Sequence, residues 1–434
     1  MQIEELYHIF EQHPVITTDS RDCPEGSIFF ALKGETFNGN QFAAAALEKG
    51  CAYAVVDEPE HADAADSRYI LTDDVLITLQ QLARHHRRTL GTRIIGVTGT
   101  NGKTTTKELI AAVLSEKYNV LYTRGNFNNH IGVPKTLLQL TRDHDIAVVE
   151  MGANHPGEIC TLVNIVEPDC GIITNVGRAH LQGFGSFEGV VRTKGELYDY
   201  LRGRKDGFIF LNDNDPNLCA IAQGLNAFRY GTGEPGKGKI VSGNVLSCSP
   251  FLRYTWSDAS GNSSDVQTHL VGQYNIDNVL CATAVGQHFG VSPADINEAI
   301  SQYEPTNSRS QLLQTAHNTL IIDAYNANPT SMQAALENFH QLEAARKMVI
   351  LGEMKELGES SAQEHLKILA LLAHMNFTET WTVGSNFANV SFPFRNFESA
   401  EDVIQTLQAE RPEGMTILIK GSNSVRLSTL VPYL

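Results

Sequence analysis

A chain of 434 residues is too long for one hydrophobic core, so two or three domains are expected. Its 42% hydrophobic and 19% charged residues are those of an ordinary soluble globular protein. A formal net charge of −16 with no long basic stripe argues against a nucleic-acid partner, yet leaves room for an anionic substrate held by a few local cations and Mg²⁺. The seven cysteines are scattered, odd in number and without C-x-x-C spacing, and read as reduced core residues of a cytosolic protein. The start, Met1-Gln2-Ile3-Glu4-Glu5, is acidic where a signal peptide is basic, and no apolar run could span a bilayer. A cytoplasmic protein with no membrane partner, acting as a monomer, is expected.

Residues 1–88 read as a small α/β domain. Ser27-Ile28-Phe29-Phe30-Ala31-Leu32 and Cys51-Ala52-Tyr53-Ala54-Val55-Val56 are strand-like, with a helix predicted over Gln41 to Lys49 between them. Two polar stretches punctuate the domain, Thr18-Asp19-Ser20-Arg21 and Lys33-Gly34-Glu35-Thr36-Phe37-Asn38-Gly39-Asn40. By themselves they are turn chemistry. The basic run Arg84-His85-His86-Arg87-Arg88 reads as a solvated helix end before the next domain.

Residues 89–305 are built around Ile94-Ile95-Gly96-Val97-Thr98-Gly99-Thr100-Asn101-Gly102-Lys103-Thr104-Thr105-Thr106. A β-branched run feeds a glycine-rich turn, which feeds a helix with Leu109, Ile110, Val113 and Leu114 on one face: the context of a phosphate-binding loop. Gly99 and Gly102 let the backbone turn its N–H groups inward, and the helix N-terminus adds positive potential. Lys103 can reach terminal phosphates and the Thr104 hydroxyl can sit on Mg²⁺. Val97 stands where the usual eight-residue pattern has its first glycine. Apolar runs at Asp145 to Glu150, Gly171 to Val176 and Phe208 to Leu211 alternate with helical stretches, predicting a mostly parallel, doubly wound sheet. Gly231-Thr232-Gly233-Glu234-Pro235-Gly236-Lys237-Gly238-Lys239 has phosphate-loop composition but no strand–helix context, and reads as a surface connection.

Glu304-Pro305-Thr306-Asn307-Ser308 is a predicted linker. Residues 306–434 then read as a second doubly wound unit, Rossmann-like but without G-x-G-x-x-G, with strands at Thr319 to Asp323, Lys347 to Leu351, Glu379 to Val383 and Thr416 to Lys420. No internal repeat or low-complexity tract occurs.

Three further features surround the loop. Val148-Val149-Glu150-Met151-Gly152 puts a carboxylate at a strand end, Asn175-Val176-Gly177-Arg178-Ala179-His180-Leu181 a histidine after a neighbouring strand, and Thr193-Lys194-Gly195-Glu196 a lysine on a helix. Singly they read as a capping carboxylate, a satisfied loop histidine and a surface lysine. Mg²⁺ prefers hard oxygen ligands, which suits Glu150 and Thr104 better than His180.

The short form Gly99-Thr100-Asn101-Gly102-Lys103-Thr104 and the order of these features resemble the Mur ligase and folylpolyglutamate synthetase superfamily. So do Gly272-Gln273-Tyr274-Asn275-Ile276-Asp277-Asn278, Asp323-Ala324-Tyr325-Asn326-Ala327-Asn328-Pro329, Thr123 to Pro134 and Leu351 to Gly358. The chain is identified as a member of the Mur ligase family, the resemblance running through nearly its whole length. It implies a uridine-nucleotide-binding domain at 1–88, with Ser20, Arg21, Asn38, Asn128 and Asn129 toward that substrate, and a central ATP domain followed by a C-terminal Rossmann-like domain. It implies ATP and Mg²⁺ as cofactors, bound by Gly99 to Thr105, Asn275, Arg309, Asp323 and Asn326. Glu150 and His180 lie near the metal by the same implication, and Lys194 is carbamylated. Lys103, Lys194, His180 and Arg309 are the implied catalytic residues. The implied reaction is ATP-dependent joining of D-alanyl-D-alanine to UDP-N-acetylmuramoyl-tripeptide. The rivals are relatives that add a single amino acid, and a nucleotide-regulated binding protein. His130 stands where many relatives carry an acid, and Ser308 where glycine often precedes the arginine.

Overall fold

The computed structural model describes residues 2–236, 238–306, 309–388 and 392–434. Lys237 in the glycine-rich connection, and Asn307 and Ser308 in the predicted linker, lie outside the described residues. The chain divides into two compact units: Met1–Gly96 with Tyr118–Gly152 and Glu158–Cys170, and Val97–Lys117 with Ala153–Gly157 and Gly171–Leu434.

The first unit begins with a four-stranded parallel sheet in the order Ile16–Thr17, Ile28–Phe30, Tyr53–Val56, Tyr69–Leu71. Phe29, Ala54 and Val56 pack on Ala43, Ala46 and Leu47 of the short helix Ala43–Glu48, which starts later than the sequence predicts because Gly39–Phe42 forms a 3₁₀ turn. The helix Val75–Leu90 is capped by the Asp74 carboxylate, which accepts from Ile77 N–H at 2.7 Å, and is stopped by Gly91 at φ 67°.

The basic run at its end corrects the sequence reading. Arg87 is buried, not solvated: its guanidinium donates to the carbonyls of Val166 at 3.0 Å and Glu167 at 2.7 Å and pairs with Asp169 at 3.2 Å. A buried guanidinium persists only where its fork of donors is satisfied, and here the residues ending the helix Glu158–Val166 do so. His86 is buried too, between the Tyr7 hydroxyl at 3.1 Å and the Leu140 carbonyl at 2.9 Å. The carbonyl can only accept, so Nε2 carries the proton and Nδ1 accepts from the tyrosine. Burial pushes the His86 pKa below its ordinary 6.5. The unfolded chain therefore binds more protons below that value, and stability present at neutral pH is lost as pH falls through 6.5 and on toward the folded pKa. Urea midpoints should drop between pH 7.5 and 5.5, and His86→Gln should flatten that drop. An unchanged slope in the variant would remove His86 from the account.

The central sheet is nine-stranded, in the order Ser263–Val271, Phe251–Asp258, Lys239–Cys248, Asn226–Thr232, Phe208–Asn212, Cys170–Ile173, Arg93–Thr98, Ile146–Glu150, Val120–Tyr122. In the second unit Phe210 packs against Phe228 and His288, while Leu197 and Leu201 of the helix Phe187–Arg202 pack on Gly171 of the strand Cys170–Ile173. Gly171 permits this packing, since a Cβ there would stand 2.7 Å from Leu201. The expectation of a mostly parallel sheet needs one addition: Phe251–Asp258 and Ser263–Val271 add an antiparallel meander at one edge.

The C-terminal sheet runs Gln311–Gln314, Thr319–Asp323, Thr416–Lys420, Lys347–Gly352, Glu379–Val383, Arg395–Phe397, parallel except for the first strand. Side chains alternate across it as strand geometry requires. Ile321, Val349, Leu351 and Leu418 face Met332, Leu336, Phe339 and Leu372, while Leu320, Ile322, Ile350 and Ile419 face Val403, Leu407 and Leu430. Both faces are covered by helices, the arrangement that makes such strands read as continuous apolar runs.

The cysteines are all free thiols, as expected, but they are not all core residues. Cys51, Cys170 and Cys281 are buried, Cys160 is exposed, and the other three are half-buried. Among the described residues no helix is long and apolar enough to cross a membrane.

Candidate active site

The strand Arg93–Thr98 delivers the chain into the glycine-rich loop, and the helix Lys103–Ser115 leaves it. Gly99 at φ 141° and Gly102 at φ 76° occupy conformations that L side chains avoid. Space forbids a Cβ as well: one at Gly99 would lie 2.0 Å from Thr174 Oγ1, and one at Gly102 2.6 Å from Asn278 Oδ1.

The neighbouring strand end holds the loop open. Thr100 N–H donates to the Asn175 carbonyl at 2.9 Å and Asn101 N–H to Asn175 Oδ1 at 3.0 Å. Thr174 Oγ1 and Asn175 Nδ2 donate to the Asn101 carbonyl at 2.7 and 3.0 Å. Gly177 N–H donates to Thr100 Oγ1 at 3.0 Å. Behind the loop a buried amide chain runs from Thr106 Oγ1 to Asn278 Oδ1, from Asn278 Nδ2 to Asn275 Oδ1, and from Asn275 Nδ2 to the Val271 carbonyl. The structure thus places Asn275 within the brace behind the loop, 2% exposed. Lys103 lies along the loop, its Nζ 2.9 Å from the Gly99 carbonyl and 3.1 Å from that of Thr100. Thr104 and Thr105 are buried on the first helical turn.

His180 stands at the N-terminus of the short helix Leu181–Phe184 in a left-handed conformation, φ 50°. Its Nδ1 pairs with the Glu356 carboxylate, an interaction that holds the Glu356 pKa below the ordinary range. The same segment is fastened by Arg178 N–H to Thr330 Oγ1 at 3.2 Å and Gln182 N–H to the Glu356 carbonyl at 3.2 Å. Lys194, on the helix Phe187–Arg202, is 2% exposed, with Nζ 3.2 Å from the Ala153 carbonyl and 5.4 Å from the centre of the Phe184 ring. It is therefore no surface lysine.

In the C-terminal part of this unit the Arg309 guanidinium lies 4.0 Å from the Tyr325 ring centre, and its buried Nε has no hydrogen-bond partner among the described residues. Asp323 ends its strand and accepts from Lys420 Nζ at 2.6 Å. Asn326 Oδ1 accepts from Ala327 N–H at 2.8 Å. Asn328 caps the helix Pro329–Gln341 and donates to Asn101 Oδ1 at 2.7 Å, tying the C-terminal motif to the loop.

In the first unit Glu150 ends its strand, 1% exposed, and accepts from Asn128 Nδ2 at 2.8 Å. Asn129 Oδ1 accepts from the N–H groups of Ile131 and Gly132, at 3.1 and 2.8 Å, and so starts the helix Gly132–Leu137. Arg21 is exposed and gripped by Asp19 through a two-pronged pair at 2.9 and 2.7 Å, while the Ser20 carbonyl accepts from Lys49 at 2.6 Å. Asn38 donates to Glu58 at 2.7 Å and accepts from Asn40 N–H at 3.0 Å. Lys33 sits 2.9 Å from both Asp57 and Glu58, which raise its pKa.

Sequence reasoning gave no role to Lys420 or Asp57, nor to Asn278 and Lys33, although both of these lie in stretches it singled out. Lys420 left a signal, a lysine closing the apolar run Ile417-Leu418-Ile419, while Asp57 is an ordinary polar residue until the fold brings Lys33 near.

Comparison with known proteins agrees with this architecture. Residues 97–286 match the model of the Mur ligase middle domain, residues 308–423 that of the Mur ligase glutamate ligase domain, and residues 14–87 that of the Mur ligase family catalytic domain. The UDP-N-acetylmuramoyl-tripeptide–D-alanyl-D-alanine ligase of Bacillus subtilis is 35% identical, over 96% of this chain and 92% of its own. That of Escherichia coli is 33% identical with the same coverage. A crystal structure of MurF from Acinetobacter baumannii superposes with a TM-score of 0.86 at 33% identity, over 96% of this chain and 92% of that one. On these matches, and with a phosphate-loop strand, turn and helix at its centre, the chain belongs to the Mur ligase family.

Proposed function

We infer that this chain is an ATP-dependent ligase that joins D-alanyl-D-alanine to UDP-N-acetylmuramoyl-tripeptide through an amide bond, in the cytoplasmic synthesis of peptidoglycan precursors. The observation that carries the reading is the loop Gly99 to Thr105, held open by Thr174 and Asn175, in a chain 35% identical to a ligase of that name over 96% of its length. Residues 1–88 are assigned to the muramoyl substrate, 89–305 to ATP and 306–434 to bringing Arg309 and Asp323 to the nucleotide, all on one monomer.

The chemistry follows from the groups. An amine does not displace oxide from a carboxylate, so the carboxylate first attacks the γ-phosphorus of ATP and ADP leaves. The amine of D-alanyl-D-alanine, having lost a proton, adds to the acyl phosphate, and the tetrahedral intermediate expels phosphate. Negative charge builds on the transferring phosphoryl, and the Lys103 ammonium, the backbone N–H groups of the first turn of the helix Lys103–Ser115 and Arg309 are the donors that offset it, the N–H groups of Thr100 and Asn101 being taken by Asn175. Asp323 is assigned to the ribose. Among the described residues no three His, Cys, Asp or Glu side chains form a metal cluster, but Mg²⁺ needs only one or two protein oxygens beside phosphate and water. The Thr104 hydroxyl, buried on the first turn of the helix after the loop, fits that need, and we assign Mg²⁺ to it, with Glu150 assigned to the ion on the family pattern alone. Bound there, Mg²⁺ supplies countercharge to the phosphates. Lys194, as a carbamate, and His180 are assigned near it.

Release of ADP should require both UDP-N-acetylmuramoyl-tripeptide and D-alanyl-D-alanine. Comparable release with the dipeptide-level precursor and a free diamino acid would instead place the chain among the relatives that add a single amino acid.

A further inference from the structure

Ligands of open α/β sheets gather at the carboxyl ends of the strands. In the C-terminal sheet two adjacent strand ends there carry opposite charges. Asp323 ends Thr319–Asp323, Lys420 ends Thr416–Lys420, and the two residues stand opposite each other in the parallel register. Lys420 Nζ lies 2.6 Å from Asp323 Oδ2 and 3.3 Å from the Asn326 carbonyl. The lysine side chain is 2% exposed and the aspartate 16%.

Such a pair is a poor way to stabilise a sheet. Removing an ammonium from water costs several kcal/mol, and apolar residues of similar volume often serve stability as well or better. All three sheet neighbours before Lys420, Ile417, Leu418 and Ile419, are apolar and buried. What the pair does achieve is orientation. The ammonium holds Oδ2 and so orients the Asp323 carboxylate, and Oδ1 accepts no hydrogen bond among the described residues. The lysine also grips the Asn326 carbonyl, holding Asp323 and Asn326 in a fixed relation.

We propose that Lys420 is a positioning residue for nucleotide recognition: it fixes the Asp323 carboxylate so that Oδ1 accepts a ribose hydroxyl of ATP, and it thereby sets the preference of the enzyme for a ribonucleotide over a deoxyribonucleotide. The proposal rests on the assignment of Asp323 to the ribose made above. Lys420 itself touches no substrate, and its effect passes wholly through Asp323.

The test compares kcat/KM for ATP, 2′-deoxy-ATP and 3′-deoxy-ATP by phosphate release, with the two other substrates saturating. The wild type should prefer ATP over one deoxy analogue by about tenfold or more, the size of one hydrogen bond to a charged acceptor. Lys420→Met should reduce that preference to about threefold or less, as expected when the acceptor is no longer held, while KM for the muramoyl substrate and the dipeptide stays within about twofold. Asp323→Asn should lose the same preference, and adding Lys420→Met to it should lose nothing more, because the two act as one unit. Lys420→Arg, which keeps a cation on the carboxylate, should retain more of the preference than Lys420→Met. Where Lys420→Met does not fold by its melting curve, Lys420→Gln is read by the same criterion. Full preference in Asp323→Asn would overturn the ribose assignment. Loss in Asp323→Asn with full preference in a folded Lys420→Met or Lys420→Gln would overturn the positioning role alone. Equal weakening toward all three substrates would mark Lys420 as merely structural, and overturn it too.

Discussion

Lys103→Ala should lower ATP turnover by about 10²–10³-fold or more, the loss typical of removing one donor from a developing anion. The fold should survive. In the structure the Lys103 ammonium donates to the carbonyls of Gly99 and Thr100, contacts within its own loop rather than with the hydrophobic core. The loop is held by other groups, the Asn175 carbonyl and amide on one side and Asn278 behind, and neither depends on the lysine. A melting curve and coupled ADP release on the same preparation check both halves. A folded variant that keeps a tenth or more of the activity would contradict the placement of the phosphates at this loop.

Lys194 carries the second large effect. Its Nζ is enclosed by the Ala153 carbonyl and the face of Phe184, a setting that an ammonium tolerates and that a phosphate-binding cation would also need. The family pattern implies instead a carbamate, in which a neutral amine adds to carbon dioxide and releases a proton, turning a cation into an oxygen anion suited to Mg²⁺. The two readings separate cleanly. If the carbamate is the working form, Lys194→Ala loses most activity, formate or acetate restores part of it, and Lys194→Arg does not rescue. Activity should also fall in buffer stripped of carbon dioxide, and labelled bicarbonate should give a carbamate carbon signal that the variants lack. Near-full activity in Lys194→Arg would leave the lysine as a simple cation. Because the stem is buried, Lys194→Met serves as the control for lost packing.

Much of this molecule was legible from short stretches of chain. The phosphate loop, the helix after it, the strand ending in Glu150 and the alternating runs of the C-terminal sheet are each set by patterns within a dozen residues. Glycines at positive φ, a β-branched run and apolar residues at helical spacing act locally, so local reading finds them. The family motifs extended that reading to residues far apart in the chain, because they carry the spacing of a whole fold.

Tertiary structure alone decided the rest. Arg87 reads as solvated until the carbonyls of Val166 and Glu167 and the Asp169 carboxylate, some eighty residues on, close around it. Cys160 and Cys281 look alike in sequence, and only packing makes one exposed and the other buried. The antiparallel meander at the sheet edge depends on which strand pairs with which, and strand propensity does not encode a partner. The same holds for Asn328 reaching Asn101 and for Lys420 meeting Asp323. A polar side chain gains its role from the group that faces it, and that group is supplied by the fold: sequence determined the elements and the loop, while the pairing of distant strand ends determined which charges meet.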